Sequence, residues 1–185
     1  FNSYNIHLIY KELLNFRTVD LSSFYFDIRK DTLYCEEKSS KKRKDCQLLL
    51  NIILDSLLRW FAPILSFTTE EIFKLVNKND SEKSIHLKKL NVFPQSWHNT
   101  KLEQNWQRII EIRNEVNSSI ETMRAEKIIG SSLEANIEIE LDEENYNLGK
   151  NYDFSEICIT SSAKIVNTKK KENLIKVKTI KACLL

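Results

Sequence analysis

Lys38, Lys41, Lys42, Arg43 and Lys44 stand close together, with no acid among them before Asp45. Cations at this density suit a phosphate backbone, where each contact releases condensed counterions and fixes register without reading sequence. They sit where the strongest helical pattern of the chain begins. Positive charge there opposes the helix dipole, a mild cost that favours a functional reason over a solvated helix start. A second set, Lys164, Lys169, Lys170, Lys171, Lys176, Lys178 and Lys181, faces Glu172 alone. The acidic stretch before it, Glu138, Glu140, Asp142, Glu143 and Glu144, points to internal charge complementarity. Trp97 and Trp106 are the aromatic candidates for stacking on bases. Trp106 fits an apolar helix stripe and is assigned to the core, which leaves Trp97 open.

No catalytic arrangement accompanies these cations. The sequence has no Gly-x-Ser-x-Gly elbow, no phosphate-binding glycine loop and no His-Glu-x-x-His helix. His7 reads as a surface or capping residue. Asp27 and Asp31 lie four apart, as paired carboxylates do, but Arg29 and Lys30 between them make surface pairing the better reading. Cys35, Cys46, Cys158 and Cys183 show no metal-ligand spacing and His7, His86 and His98 do not join them, so reduced thiols are expected rather than disulfides or zinc.

The elements that must hold the cations are mainly helical. Ile6, Ile9, Tyr10 and Leu13 make one helix face. Asp20 or Ser22 is placed to cap a second, short helix through 24–31. From Lys41, Cys46, Leu49, Leu50, Ile53, Leu57, Trp60, Phe61 and Ile64 recur at helical spacing, which predicts a central bundle helix that Pro63 ends. Thr68 and Glu71 read as a capping box for a helix reaching Val76. A long helix over 102–128 follows, with Leu102, Trp106, Ile109, Ile110, Val116, Ile120 and Met123 as its buried stripe and Gly130 as a left-handed cap. Beyond it Leu133, Ala135, Ile137, Ile139 and Leu141 alternate with polar residues as a strand does. The stretches 154–160 and 174–180 are further strand candidates. The expected division is a helical domain over 1–129 and a small β-containing appendage over 130–185.

Composition sets outer limits. The chain has 185 residues, 28 basic and 26 acidic, for a net charge of +2. Any nucleic-acid role therefore rests on a local patch. Only two glycines and two prolines argue against an all-β sandwich. No run without charge is long enough to span a membrane, so no membrane partner is expected. A first residue of Phe1 rather than Met reads as a piece of a longer chain.

Three segments resemble one family. LSSFYFDIRKDTLYC (Leu21 to Cys35), RWFAPILSFTTEEIF (Arg59 to Phe73) and RAEKIIGSSLEA (Arg124 to Ala135) are similar, in order and spacing, to the anticodon-binding part of isoleucyl-tRNA synthetases. Valyl and leucyl enzymes share the outline of the middle segment; SFYFD (Ser23 to Asp27) together with GSSLEA (Gly130 to Ala135) favours the isoleucyl family. The likeness runs to about Leu141 and is loose beyond.

The resemblance implies a mainly α fold, the class I synthetase anticodon-binding helical bundle with a small α+β C-terminal appendage. It implies a module that docks the anticodon stem-loop of tRNA-Ile and positions it for a catalytic domain of the same parent chain. ATP and Mg would serve that domain, whose His-Ile-Gly-His and Lys-Met-Ser-Lys-Ser type motifs are absent from this sequence, so no catalytic residue is expected. Zinc would belong to a cysteine-rich C-terminal module that many bacterial members carry. A monomer in the cytoplasm, or an organelle, is expected. By this likeness Lys30 belongs to the first segment, Arg43 and Lys44 to the basic pair before Cys46 and Gln47, Arg59 to the second segment, and Arg124 and Lys127 to the third. With Lys41 and Lys42 of the basic cluster, these are the expected tRNA contacts. Arg59 and Arg124 are equally read as pairing with a carboxylate such as Glu70 or Glu126. The rival readings are the same module of a valyl-type enzyme, and a helical scaffold with no RNA role.

Overall fold

The computed structural model describes residues 5–77, 84–168 and 175–182. The chain forms two compact units, Phe1–Pro94 and Gln95–Leu185. The expected division at 129/130 falls inside the second unit, because the long helix before it packs on the strands that follow.

The first unit opens with an unbroken run of helical backbone: α1 (Ile6–Asn15), a π-helical stretch (Phe16–Phe26) and α2 (Asp27–Tyr34). The separate helix expected to start at Asp20 or Ser22 does not exist as such. The backbone stays right-handed at both junctions, so neither side chain has a helix start to cap. Ser23 Oγ instead donates to Thr18 O, five residues back, at 2.8 Å, the reach of the wider π turn.

α3 (Lys41–Phe61) ends just before Pro63, as the sequence predicts. Its apolar surface is less covered than expected of a central bundle helix. Cys46, Ser56 and Leu58 are buried, while Leu48 and Leu49 are 61% and 41% exposed. The core beneath it is small: Leu58, Ala62, Phe73 and Ile85, with Leu54 and Ile72 against them. α4 (Ser66–Val76) starts two residues before Thr68, so the Thr68–Glu71 capping box does not form; its N-cap is Leu65, without a side-chain bond. Glu70 instead accepts from Ser84 Oγ at 2.8 Å and from Ile85 N at 3.0 Å, and pairs with Lys74 at 3.0 Å. These bonds, Lys74 and Ser84 foremost, hold its carboxyl below the usual range. They also seat the nearly inaccessible Ile85 against Phe73.

The second unit is a helix laid on a sheet. α5 (Thr100–Ala125) starts where Asn99 Oδ1 accepts from Leu102 N at 3.0 Å. It buries Ile109, Ile112, Val116 and Ile120, whereas Leu102, expected in the stripe, is 47% exposed at its first turn. β1 (Ala135–Leu141) lies between β2 (Ser162–Asn167), parallel, and β3 (Ile175–Lys181), antiparallel. The alternate residues Ala135, Ile137, Ile139 and Leu141 of β1 join the α5 stripe in one core. Burial of this face stabilises the unit, on the order of 25 cal/mol per Å² of apolar surface.

Two short helices, α6 (Glu143–Gly149) and α7 (Phe154–Cys158), make the crossover from β1 to β2. The stretch 154–160, expected as a strand, is α7. Asp153 caps it through Ser155 N at 2.9 Å, and Phe154, Ile157 and Cys158 are buried at helical spacing. On the outer face of the sheet Glu138 is registered opposite Lys164 and Lys178, and Glu140 opposite Lys176. That placement accounts for much of the second basic set. Lys169, Lys170, Lys171 and Glu172 lie outside the described residues, as does Cys183.

Candidate nucleic-acid interface

The four consecutive cations Lys41, Lys42, Arg43 and Lys44 form the first turn of α3. At 100° per residue they cannot share one face. Lys41 and Lys44, three apart, are both exposed on one side. Arg43 is half-buried, and its Nη1 donates to Glu36 O at 2.7 Å, pinning the 35–40 connection to the helix it precedes. Lys42 turns toward the preceding helical run. There it lines a recess of about 270 Å³ with Tyr25, Arg29, Thr32, Asp45, Cys46 and Leu49.

The recess has a fixed aromatic wall. Tyr25 Oη lies 3.6 Å from Cys46 Sγ, and the Arg29 guanidinium stands 6.0 Å from the ring centroid. Burial, then the Cys46 contact, pushes the Tyr25 hydroxyl up to about 12, with Arg29 opposing. The phenol stays neutral beside the cations at any physiological pH. Lys30 lies one residue on from Arg29. It is exposed and bonded to Asp27 Oδ1 at 2.8 Å, and that pairing raises its ammonium above the usual value. The Asp27 and Lys30 contact is the surface pairing expected for this segment.

The other expected contacts lie elsewhere. Arg59 is fifteen residues beyond Lys44 on the same helix, about 22 Å along its axis. It is engaged in structure: Nε and Nη2 bond Asp55 at 2.9 and 3.1 Å, and Nη1 donates to Lys89 O at 2.6 Å. Asn91 Nδ2 adds bonds to Asp55 at 3.0 Å and to Ser56 Oγ at 2.9 Å. The carboxylate partner is Asp55, where Glu70 was expected. Arg124 and Lys127 belong to the second unit. Arg124 pairs with Glu121 at 2.7 Å rather than with Glu126. With Lys127 and Lys181 it lines an open recess of about 750 Å³ at the end of α5.

Lys127 itself sits at φ 58, in the left-handed region. Lys127 N bonds Arg124 O and Ile128 N bonds Met123 O, both at 3.0 Å, the paired bonds that close a helix with a left-handed residue. Gly130, expected in that role, has no positive φ. Its N donates to Glu134 Oε2 instead, at 3.2 Å.

Sequence reasoning missed Tyr25, Arg29 and Lys181 as members of these recesses. Tyr25 and Arg29 are four apart on helical backbone, the spacing that stacks a guanidinium on a ring, and that signal was present. Trp106 packs edge-on to Tyr152 at 5.3 Å in the core, and Trp97 is 57% exposed. Among the described residues no three His, Cys, Asp or Glu side chains gather as a metal ion would need. None of the described helices is long and apolar enough to cross a membrane. Cys158 is buried, and burial pushes its thiol up to about 12 with Arg113 opposing, so it is poorly nucleophilic.

The chain is mainly helical and carries its densest run of cations at the opening of a long helix. The comparisons make the class definite: residues 1–139 match the family described as the anticodon-binding domain of tRNA ligase, and the chain belongs to that family. Three relatives share one name. The chain is 57% identical over 182 residues to an isoleucine–tRNA ligase of Pelagibacter ubique, covering 98% of this chain and 20% of that protein. It is 40% identical over 167 residues to an isoleucine–tRNA ligase of Agrobacterium fabrum, covering 90% and 17%. The isoleucine–tRNA ligase of Carboxydothermus hydrogenoformans is 38% identical over 146 residues, covering 79% and 16%. The chain thus spans about a fifth of the length of these curated relatives.

Proposed function

We propose that this chain is the anticodon stem-loop binding module of an isoleucine–tRNA ligase, and that it positions tRNA-Ile for a catalytic domain elsewhere in the same protein. The observation that carries the reading is the 57% identity to an isoleucine–tRNA ligase along 98% of the chain. The cationic first turn of α3 supplies the physical means. Lys41 and Lys44 hold stem phosphates from their exposed side, with Lys42 and Lys30 on the flank toward α2. Arg43 acts from its anchored position beside Glu36. Arg124 and Lys127 make a second phosphate-facing pair at the end of α5. Arg59 serves mainly by fixing the 88–91 strap to α3 through Asp55.

The module contributes recognition energy and leaves bond chemistry to the catalytic domain, where ATP and Mg act. Apolar side chains left exposed on the first unit, such as Phe67 at 93% and Val92 at 94%, support a docking partner within the longer protein. The protein acts as a cytoplasmic monomer in this reading.

The test is the salt dependence of binding to a tRNA-Ile anticodon stem-loop. Each phosphate contact contributes about 0.7–0.9 to the slope of log K against log salt. Lys41→Gln and Lys44→Gln alter exposed side chains and leave the fold intact. Each is expected to weaken binding and make the slope shallower by about one contact. Unchanged affinity and slope in both would remove the α3 turn from the interface.

A further inference from the structure

We infer that Lys181, at the end of β3, holds the RNA sugar–phosphate backbone together with Lys127 at the end of α5. The inference rests on the RNA-binding reading above and deepens it. It brings into the interface a residue that lies beyond the stretch 1–139 matched by the anticodon-binding family.

Alternation along β3 sets Lys181 apart from the other lysines of its strand. Ile175 and Val177 pack on the core, and Thr179 Oγ1 meets Ser119 Oγ of α5 at 2.7 Å. Lys181 stands two residues further along the same face, registered with the fully buried Ala135. Lys176 and Lys178 belong to the other face, where they are registered opposite Glu140 and Glu138. The charge of Lys181 is therefore not among those that the β1 glutamates offset. Ala182 N donates to Glu134 O at 2.7 Å and anchors the strand end from which Lys181 emerges.

There Lys181 lines the open recess of about 750 Å³ with Glu121, Arg124, Lys127 and Glu134. Both carboxylates are engaged. Glu121 holds Arg124 at 2.7 Å, and Glu134 accepts from Gly130 N at 3.2 Å. Lys127 and Lys181 are both exposed, and neither ammonium has a partner among the described residues. The fold thus gathers two uncommitted cations from distant parts of the sequence into one recess. No aromatic ring lines it, so it offers a base nothing to stack on. Its width and openness suit a run of sugar–phosphate, which lysines hold by charge without reading sequence.

The experiment measures binding of the 185-residue chain to tRNA-Ile by fluorescence anisotropy across a salt series. Lys181→Gln is expected to weaken binding about threefold to tenfold at moderate salt. It should also make the slope of log K against log salt shallower by about 0.7–0.9, the share of one contact. Lys181→Arg keeps the slope. Lys178→Gln, on the opposite face of the same strand, is expected to leave it unchanged. Lys127→Gln combined with Lys181→Gln loses about two contacts.

An unchanged slope in Lys181→Gln, with only a lower melting temperature, overturns the inference. Lys181 would then be a counter-charge to the negative end of the α5 dipole. An equal loss of slope in Lys178→Gln also overturns it, since a diffuse field along β3 would explain both. Inorganic phosphate is compared with chloride at matched ionic strength. If it displaces RNA from the wild-type chain but not from Lys181→Gln, the recess is a small-anion site and the inference fails. In these cases salt-sensitive binding of the wild-type chain, and its weakening in Lys41→Gln and Lys44→Gln, still stand. A wild-type chain without salt-sensitive binding overturns the RNA reading and the inference together.

Discussion

Lys127 shows how a single residue carries conflicting demands. A lysine in the left-handed region costs about 1 kcal/mol or more relative to glycine, since its Cβ crowds the following carbonyl. The position is exposed and the turn is closed by backbone bonds alone, so glycine would fit it without loss of packing. Under the proposed function the cation at this site, beside Arg124 and Lys181, serves as a phosphate contact. Lys127→Gly is therefore expected to raise thermal stability by about 1 kcal/mol while weakening binding to the stem-loop. A variant that gains stability and binds unchanged would make Lys127 a conformational accident rather than a contact. This residue also marks a limit of reading by type. Gly130 carried the familiar signal for a helix end, but the helix closes three residues earlier on a residue that gives no such signal.

At the scale of elements, what was legible followed from periodicity and what was not followed from competition between signals. The long run behind α5 and the alternating strand β1 match the pattern because each buries a continuous face, while α3 forms over its expected run and ends before Pro63 with its apolar face only partly covered. The cap signals misled where the backbone had no need of them. Asp20 and Ser22 lie in a continuous helical run, and Thr68 falls inside a helix that begins at Ser66. At 154–160 the strand expectation fails: Asp153 caps a short helix there despite the β-branched Ile157 and Ile159.

The cations divide in the same manner. Their types were visible, but not which of them the fold already uses. Arg59 is the clearest case, bonded to Asp55 and to the Lys89 carbonyl where it ties the strap after residue 84 to the end of α3. Arg59→Gln is expected to cost about 1–2 kcal/mol in denaturant unfolding, because it leaves the Asp55 carboxylate without its charged partner. The salt slope of RNA binding should not change. A slope made shallower by one contact, with stability intact, would return Arg59 to the interface.

For the whole molecule, the family assignment and the charge distribution agree. A net charge of +2 gives little global attraction for RNA, so under the proposed function docking rests on local patches of cations. On the outer face of the sheet Glu138 and Glu140 of β1 are registered with Lys164, Lys176 and Lys178, so most of that positive charge is offset locally. The central claim is that the module docks an anticodon stem-loop through local patches of cations.

The most direct test is fluorescence anisotropy of the chain with tRNA-Ile and with a copy differing only in its anticodon, at low and moderate salt. Both are expected to bind with salt-sensitive affinity, and the native anticodon to bind more tightly, by about tenfold at either salt concentration. Failure to bind either RNA at low salt would contradict the account.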